Sequence, residues 1–147
     1  MKKLLLLCTV LIRLTSTSQI TITTEGFEAC GWNTETEKYD YDCFSDDKES
    51  SRFTFNKDVT MFVHTTPEMT STYYIDSTDH QLEEERGLWV YFVTSDVGNR
   101  YLYFFDLKYS EVRAIPFNGS YIITATIKQL WDDTPMESIE PKTNSDD

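Results

Sequence analysis

The residues of this chain that can do chemistry are few: two histidines, three cysteines, and 25 acids against 13 bases. His64 alternates with Phe62 in the run Thr60–Thr65, which sets it on one face of a strand. As a general base it needs a carboxylate to orient it and a nucleophile within hydrogen-bond reach. This supports one reading, an extracellular hydrolase-type enzyme using His64. No nucleophile elbow, phosphate-cradling glycine loop or histidine-rich metal motif accompanies it, and there are only five glycines in all. No catalytic residue is therefore assigned. His80, beside Asp79 in a polar stretch, reads as a solvent-exposed side chain. Asp40, Asp42, Asp46, Asp47 and Glu49 offer the oxygen ligands that calcium takes. Ser45 stands where an EF-hand needs glycine, however, and Cys43 and Phe44 interrupt the polar pattern. The run reads as a solvated acidic segment, with no metal and no cofactor expected.

The cysteines take their meaning from the first eighteen residues, MKKLLLLCTVLIRLTSTS. Lys2 and Lys3 make a basic start, Leu4 to Ile12 an apolar run, and Ser16 and Ser18 the small residues that precede a cut before Gln19. That pattern is a signal peptide, residues 1–18, and the run is far shorter than the ~20 residues that span a bilayer. No membrane anchor is expected. Arg13 directly behind the run is unusual for a leader, and Cys8 raises the alternative of lipidation. Leu5, Leu6 and Leu7 stand before Cys8, where lipoprotein processing requires a small residue. Cys8 thus leaves with the leader. Cys30 and Cys43 remain in a secreted or periplasmic chain, and a disulfide between them is expected. The alternative is a pair of buried free thiols. Closing a loop of that length constrains the unfolded chain by roughly 3 kcal/mol in the entropy model.

Residues 19–147 hold all 21 aromatic side chains, enough for a packed core. The leader carries three bases and no acid, so the mature chain holds 10 bases against 25 acids and its formal charge moves from −12 to −15. Such a surface repels phosphate, which excludes nucleic acid and an anionic membrane surface as expected partners.

Along the mature chain, apolar runs of five to ten residues alternate with turn signals, without an amphipathic helix of useful length. The expectation is an all-β domain over 19–131, an antiparallel meander of about eight strands forming a small barrel or a β-sandwich. Candidate strands are Ile20–Thr24, Tyr39–Phe44, Arg52–Phe55, Thr60–Thr65 and Ser71–Asp76. Leu88–Thr94, Arg100–Leu107, Glu111–Ile115 and Tyr121–Leu130 follow. Connectors such as Asn56-Lys57-Asp58 and Asn118-Gly119 favour tight turns; Asn118-Gly119-Ser120 also matches a glycosylation pattern. Ser77 to Gly87 is long, polar and acidic, either a solvated hairpin tip or a recognition loop. The segment 132–147 is proline-bearing and acidic and reads as a disordered tail.

Strand alternation marks the central hairpin. One face of Leu88–Thr94 carries Leu88, Val90 and Phe92, the other Trp89, Tyr91 and Val93; the next strand sets Leu102 and Phe104 against Tyr101, Tyr103 and Phe105. Both faces are apolar, so each needs a cover. The cover is a barrel with the N-terminal segment packed over its outside, a two-layer sandwich, or a ligand or partner meeting Trp89, Tyr91, Tyr101 and Tyr103.

The Ser18-Gln19 leader end, the acidic mature chain and the stretch TSDVGNRYLYFFDLKYSEVRAI together resemble uncharacterised small exported proteins of Bacteroidota-type bacteria. That resemblance implies export and carries over no catalytic or binding residue. The meander is similar to the ligand-binding small barrels that include lipocalins and avidins, which implies a lumenal pocket. The functional expectation is an exported, non-enzymatic binding module whose ligand, a small molecule or a protein, contacts Trp89, Tyr91, Tyr101 and Tyr103. The alternatives are the enzyme using His64 and an acidic surface inhibitor or adhesion protein presenting Ser77 to Gly87.

Overall fold

A computed structural model describes residues 19–78 and 87–132. The expected signal peptide, His80 with most of the Ser77–Gly87 connector, and the tail beyond Asp132 lie outside the described residues. Eight strands form: β1 (Ile20–Asn33), β2 (Lys38–Phe55), β3 (Met61–Thr65), β4 (Thr70–Thr78), β5 (Leu88–Ser95), β6 (Arg100–Asp106), β7 (Glu111–Pro116) and β8 (Tyr121–Asp132). Each is antiparallel to the next, and β8 pairs back with β1 to close a barrel. Short connectors force this order, because parallel pairing would need long crossovers. In the β7–β8 turn Gly119 supplies φ +67, while Asn118 Oδ1 accepts the Ser120 N–H at 3.1 Å.

The closed barrel replaces the sandwich alternative. It also corrects the cover expected from the N-terminal segment: Ile20–Asn33 does not pack over the sheet but is one of its staves, between β2 and β8. The nine candidate runs become eight strands because Tyr39–Phe44 and Arg52–Phe55 belong to one strand, continuous through the acidic stretch between them.

β1 and β2 outrun the barrel. Within β2 only Arg52–Phe55 pairs with β3, so Lys38–Ser51 has β1 as its one strand partner among the described residues. The register shifts between Glu25 and Phe27, where Gly26 takes φ +64 and Asp46 Oδ1 accepts the Lys48 N–H at 2.8 Å. Beyond this bulge the hairpin forms a flap with the start of β8, stapled by the Cys30–Cys43 disulfide with its Cα atoms 4.2 Å apart. The turns at 66–69, 96–99 and 117–120 lie at the same end as the flap, called here the flap end.

Inside, alternation points Phe53, Phe55, Phe62, Tyr103 and Phe105 at one another, with ring centroids 5.1–6.1 Å apart. These five are buried, and together with Ile22, Tyr73, Tyr91 and Val93 they make the core. The second apolar face of β5 and β6 looks outward. Phe104 there is covered by the Arg113 guanidinium at 5.3 Å from the ring, which Asp106 Oδ2 holds at 3.5 Å.

Candidate ligand cavity

The aromatic filling is lopsided. β2, β3 and β6 send Phe53, Phe62, Tyr103 and Phe105 into the lumen. Next to β6, strands β7 and β8 present Val112 beside Ala125 and Ala114 beside Ile123. Side chains this short do not reach the far wall, so a cavity of about 400 Å³ is left at the flap end. That volume lies within the range of small-molecule sites. Gly26 and Phe27 form one side of its mouth, and Thr66, Glu68 and Met69 of the β3–β4 turn another.

Most of the wall is apolar, and its polar groups are few. Thr24 Oγ1 and Ser51 Oγ bond each other at 2.7 Å. His64 lies flat on Phe53, with centroids 4.2 Å apart and planes 7° from parallel. This stacking and the surrounding wall strip water from the imidazole, and burial pulls its pKa down from 6.5 to about 4. It is neutral at physiological pH. Its Nε2 is buried and has no hydrogen-bond partner among the described residues. A buried polar atom left so is costly, and a ligand atom in the cavity would satisfy it. No hydrogen-bonded pairing of His64 with a carboxylate or a hydroxyl occurs among the described residues.

The four aromatic residues expected to meet a ligand all point into the lumen, but not into one space. Tyr103 lines the flap-end cavity. Trp89 and Tyr91 line a separate cavity of about 360 Å³ at the opposite end, beside Ile20 and Thr78. Tyr101 borders neither cavity. Two of the rings pack against tyrosines within the barrel: that of Tyr103 lies 5.3 Å from Tyr73 and 6.2 Å from Tyr101. Burial first, then the neighbouring tyrosines, raises the Tyr103 pKa well above 10. It is a neutral hydroxyl, not an anion.

Sequence reasoning missed Thr24, Ser51, Val112, Ala114 and Ala125. The available signal was bulk: Tyr121, Ile123, Ala125 and Ile127 read as one face, and a small residue there opposite phenylalanines leaves space. Asp40, Asp42, Asp46, Asp47 and Glu49 all fall on β2, and no cluster of three or more metal-ligating side chains forms among the described residues.

Fold and cavity together define a small eight-stranded antiparallel barrel with an apolar pocket opening at one end. No family model, curated protein or solved structure matches the chain.

Proposed function

We propose that this chain is an exported, non-enzymatic binding module that holds a small, largely apolar ligand in the flap-end cavity. The observation that carries this reading is the open apolar cavity containing the unpartnered His64 Nε2. Such a wall pulls apolar surface out of water, and one polar atom within it orients the guest. The mouth adds a landing surface. Phe44 is 62% exposed and packs at 5.8 Å, tilted by 54°, against Phe27, which lines the cavity, while Met69 at the rim is 48% exposed. Large apolar side chains left in water beside a cavity suit a surface that a ligand covers. Export rests on the leader pattern and on a disulfide of the kind that persists in oxidising compartments.

The neutral fluorescent probe N-phenyl-1-naphthylamine tests the reading by titration into the purified, disulfide-intact protein. Saturable binding is expected. Ala125→Phe, which fills the cavity, should weaken it by at least about tenfold, the equivalent of ~1.4 kcal/mol. Overpacking destabilises cores, so Ala114→Leu serves as a second filling variant, with cooperative thermal unfolding recorded for both. Undiminished probe binding in two folded variants would refute the site. For export, the mass of the secreted protein should be that of residues 19–147 less two hydrogens; a retained Met1 would contradict the expected processing.

A further inference from the structure

We infer that the cavity mouth selects cationic amphiphiles, the protonated amine resting between Glu49 and Glu68 while the apolar tail enters the lumen. The inference rests on the flap-end cavity being the ligand site, and it names the ligand class.

The charges around the opening are of one sign. Glu49 of β2 and Glu68 of the β3–β4 turn both line the cavity, and among the described residues no lysine or arginine does. Among the described residues ion pairs form elsewhere, Arg113 with Asp106 and Glu111, and Lys128 with Glu25. Neither Glu49 nor Glu68 takes part in any of these. A carboxylate headgroup entering this mouth meets two like charges and no counter-charge, whereas an ammonium meets two partners. The groove on the outer side of the bulge, which shares Gly26 and Phe27 with the cavity, adds Glu28 and Asp47 to the same field. Clefts lined by one sign of charge concentrate the opposite ion.

Two further features favour a cation over a neutral polar group. Phe27 lines the cavity and Phe44 packs against it at 5.8 Å, and aromatic rings attract ammonium groups at close range. Farther inside, the neutral imidazole of His64 places no positive charge behind the mouth to repel the cation. Both carboxylates remain in contact with water, Glu68 exposed and Glu49 half-buried, so the selectivity is moderate rather than absolute.

Displacement of bound N-phenyl-1-naphthylamine by octylamine, octanol and octanoate, matched in tail and different in charge, tests this directly. Octylamine should displace the probe at a concentration at least about tenfold lower than octanoate at low salt, and the gap should narrow as ionic strength shortens the Debye length. The double variant Glu49→Gln/Glu68→Gln should bring the amine and the carboxylate to within about twofold of each other. Glu35→Gln/Glu37→Gln makes the same charge change at the flap tip, and it should keep the preference. Probe binding without preference for the amine, or a preference that survives the Glu49/Glu68 variant, would overturn the charge selection and leave the cavity reading standing. Failure of the probe to bind at all would overturn both.

Discussion

Phe105→Ala is expected to lower the unfolding free energy by about 3–5 kcal/mol, the range for phenylalanine truncation in a core that cannot collapse. Phe105 is fully buried, and its ring lies 5.2–6.0 Å from those of Phe53, Phe55, Phe62, Tyr91 and Tyr103. Loss of the ring removes contacts to all five at once. Neighbouring strands cannot slide in to fill the gap, because β6 is hydrogen-bonded on both edges inside a closed barrel. Domains of this size have only about 5–15 kcal/mol of total stability, so the variant should sit near its unfolding threshold. Urea unfolding at constant m reads the loss as a lower midpoint. Val97→Ala, at a side chain 78% exposed in the β5–β6 turn, should stay within about 0.5 kcal/mol of the parent. A loss below ~1 kcal/mol for Phe105→Ala would mean that the lumen is fluid rather than packed.

That central packing was legible in the sequence as a problem, and the barrel is its solution. Two apolar faces on Leu88–Thr94 and Arg100–Leu107 required two covers. Closure turned the odd-numbered set inward, where aromatic residues from five strands cover one another. The even-numbered face kept to the outside, partly roofed by Arg113. Alternation cannot say which face closes inward, because both are apolar. It was for this reason that Trp89, Tyr91, Tyr101 and Tyr103 read as a possible binding surface, when their rings stand inside the barrel.

The flap was not legible for a different reason. Residues 25–33 of β1 and 45–51 of β2 contain acids, serines and glycines that depress strand propensity, yet both stretches are strand. Pairing with β8 on one side and the disulfide across the hairpin supply what propensity lacks. The Cys30–Cys43 pair was itself read correctly, but its consequence was not, since the bridge staples an extension that overhangs a cavity mouth. The cavity arises from a difference in bulk across the lumen, between Ala114 or Ala125 and the facing phenylalanines. Composition and periodicity register each strand separately and are blind to such cross-lumen sums. Closing the barrel is what brings β7 and β8 opposite β2 and β3, and this step sets the residues of the site together.

His64 is where sequence and site meet most directly, and it provides the second large effect. Its pKa is 6.5 in the unfolded chain and about 4 in the folded one, so at pH 7 both states are neutral there and the residue adds no pH dependence. Below 6.5 the unfolded chain binds a proton that the folded chain refuses until about pH 4. Stability therefore falls as pH drops through that window and levels off below it, by up to about 3 kcal/mol at 1.36 kcal/mol per pH unit. Carboxylic acids as a class ionise toward the bottom of the same window, so the whole curve does not isolate the histidine. His64→Phe does: the ring still stacks on Phe53 and fills the same wall, but it cannot take up a proton. Urea unfolding at pH 7 and pH 4 at fixed ionic strength should show the parent losing up to about 3 kcal/mol more than the variant. Equal losses in the two proteins would mean that the folded state protonates His64 as readily as water does. The imidazole would then be solvated, and the cavity would lose the dry wall that makes it a site for apolar guests.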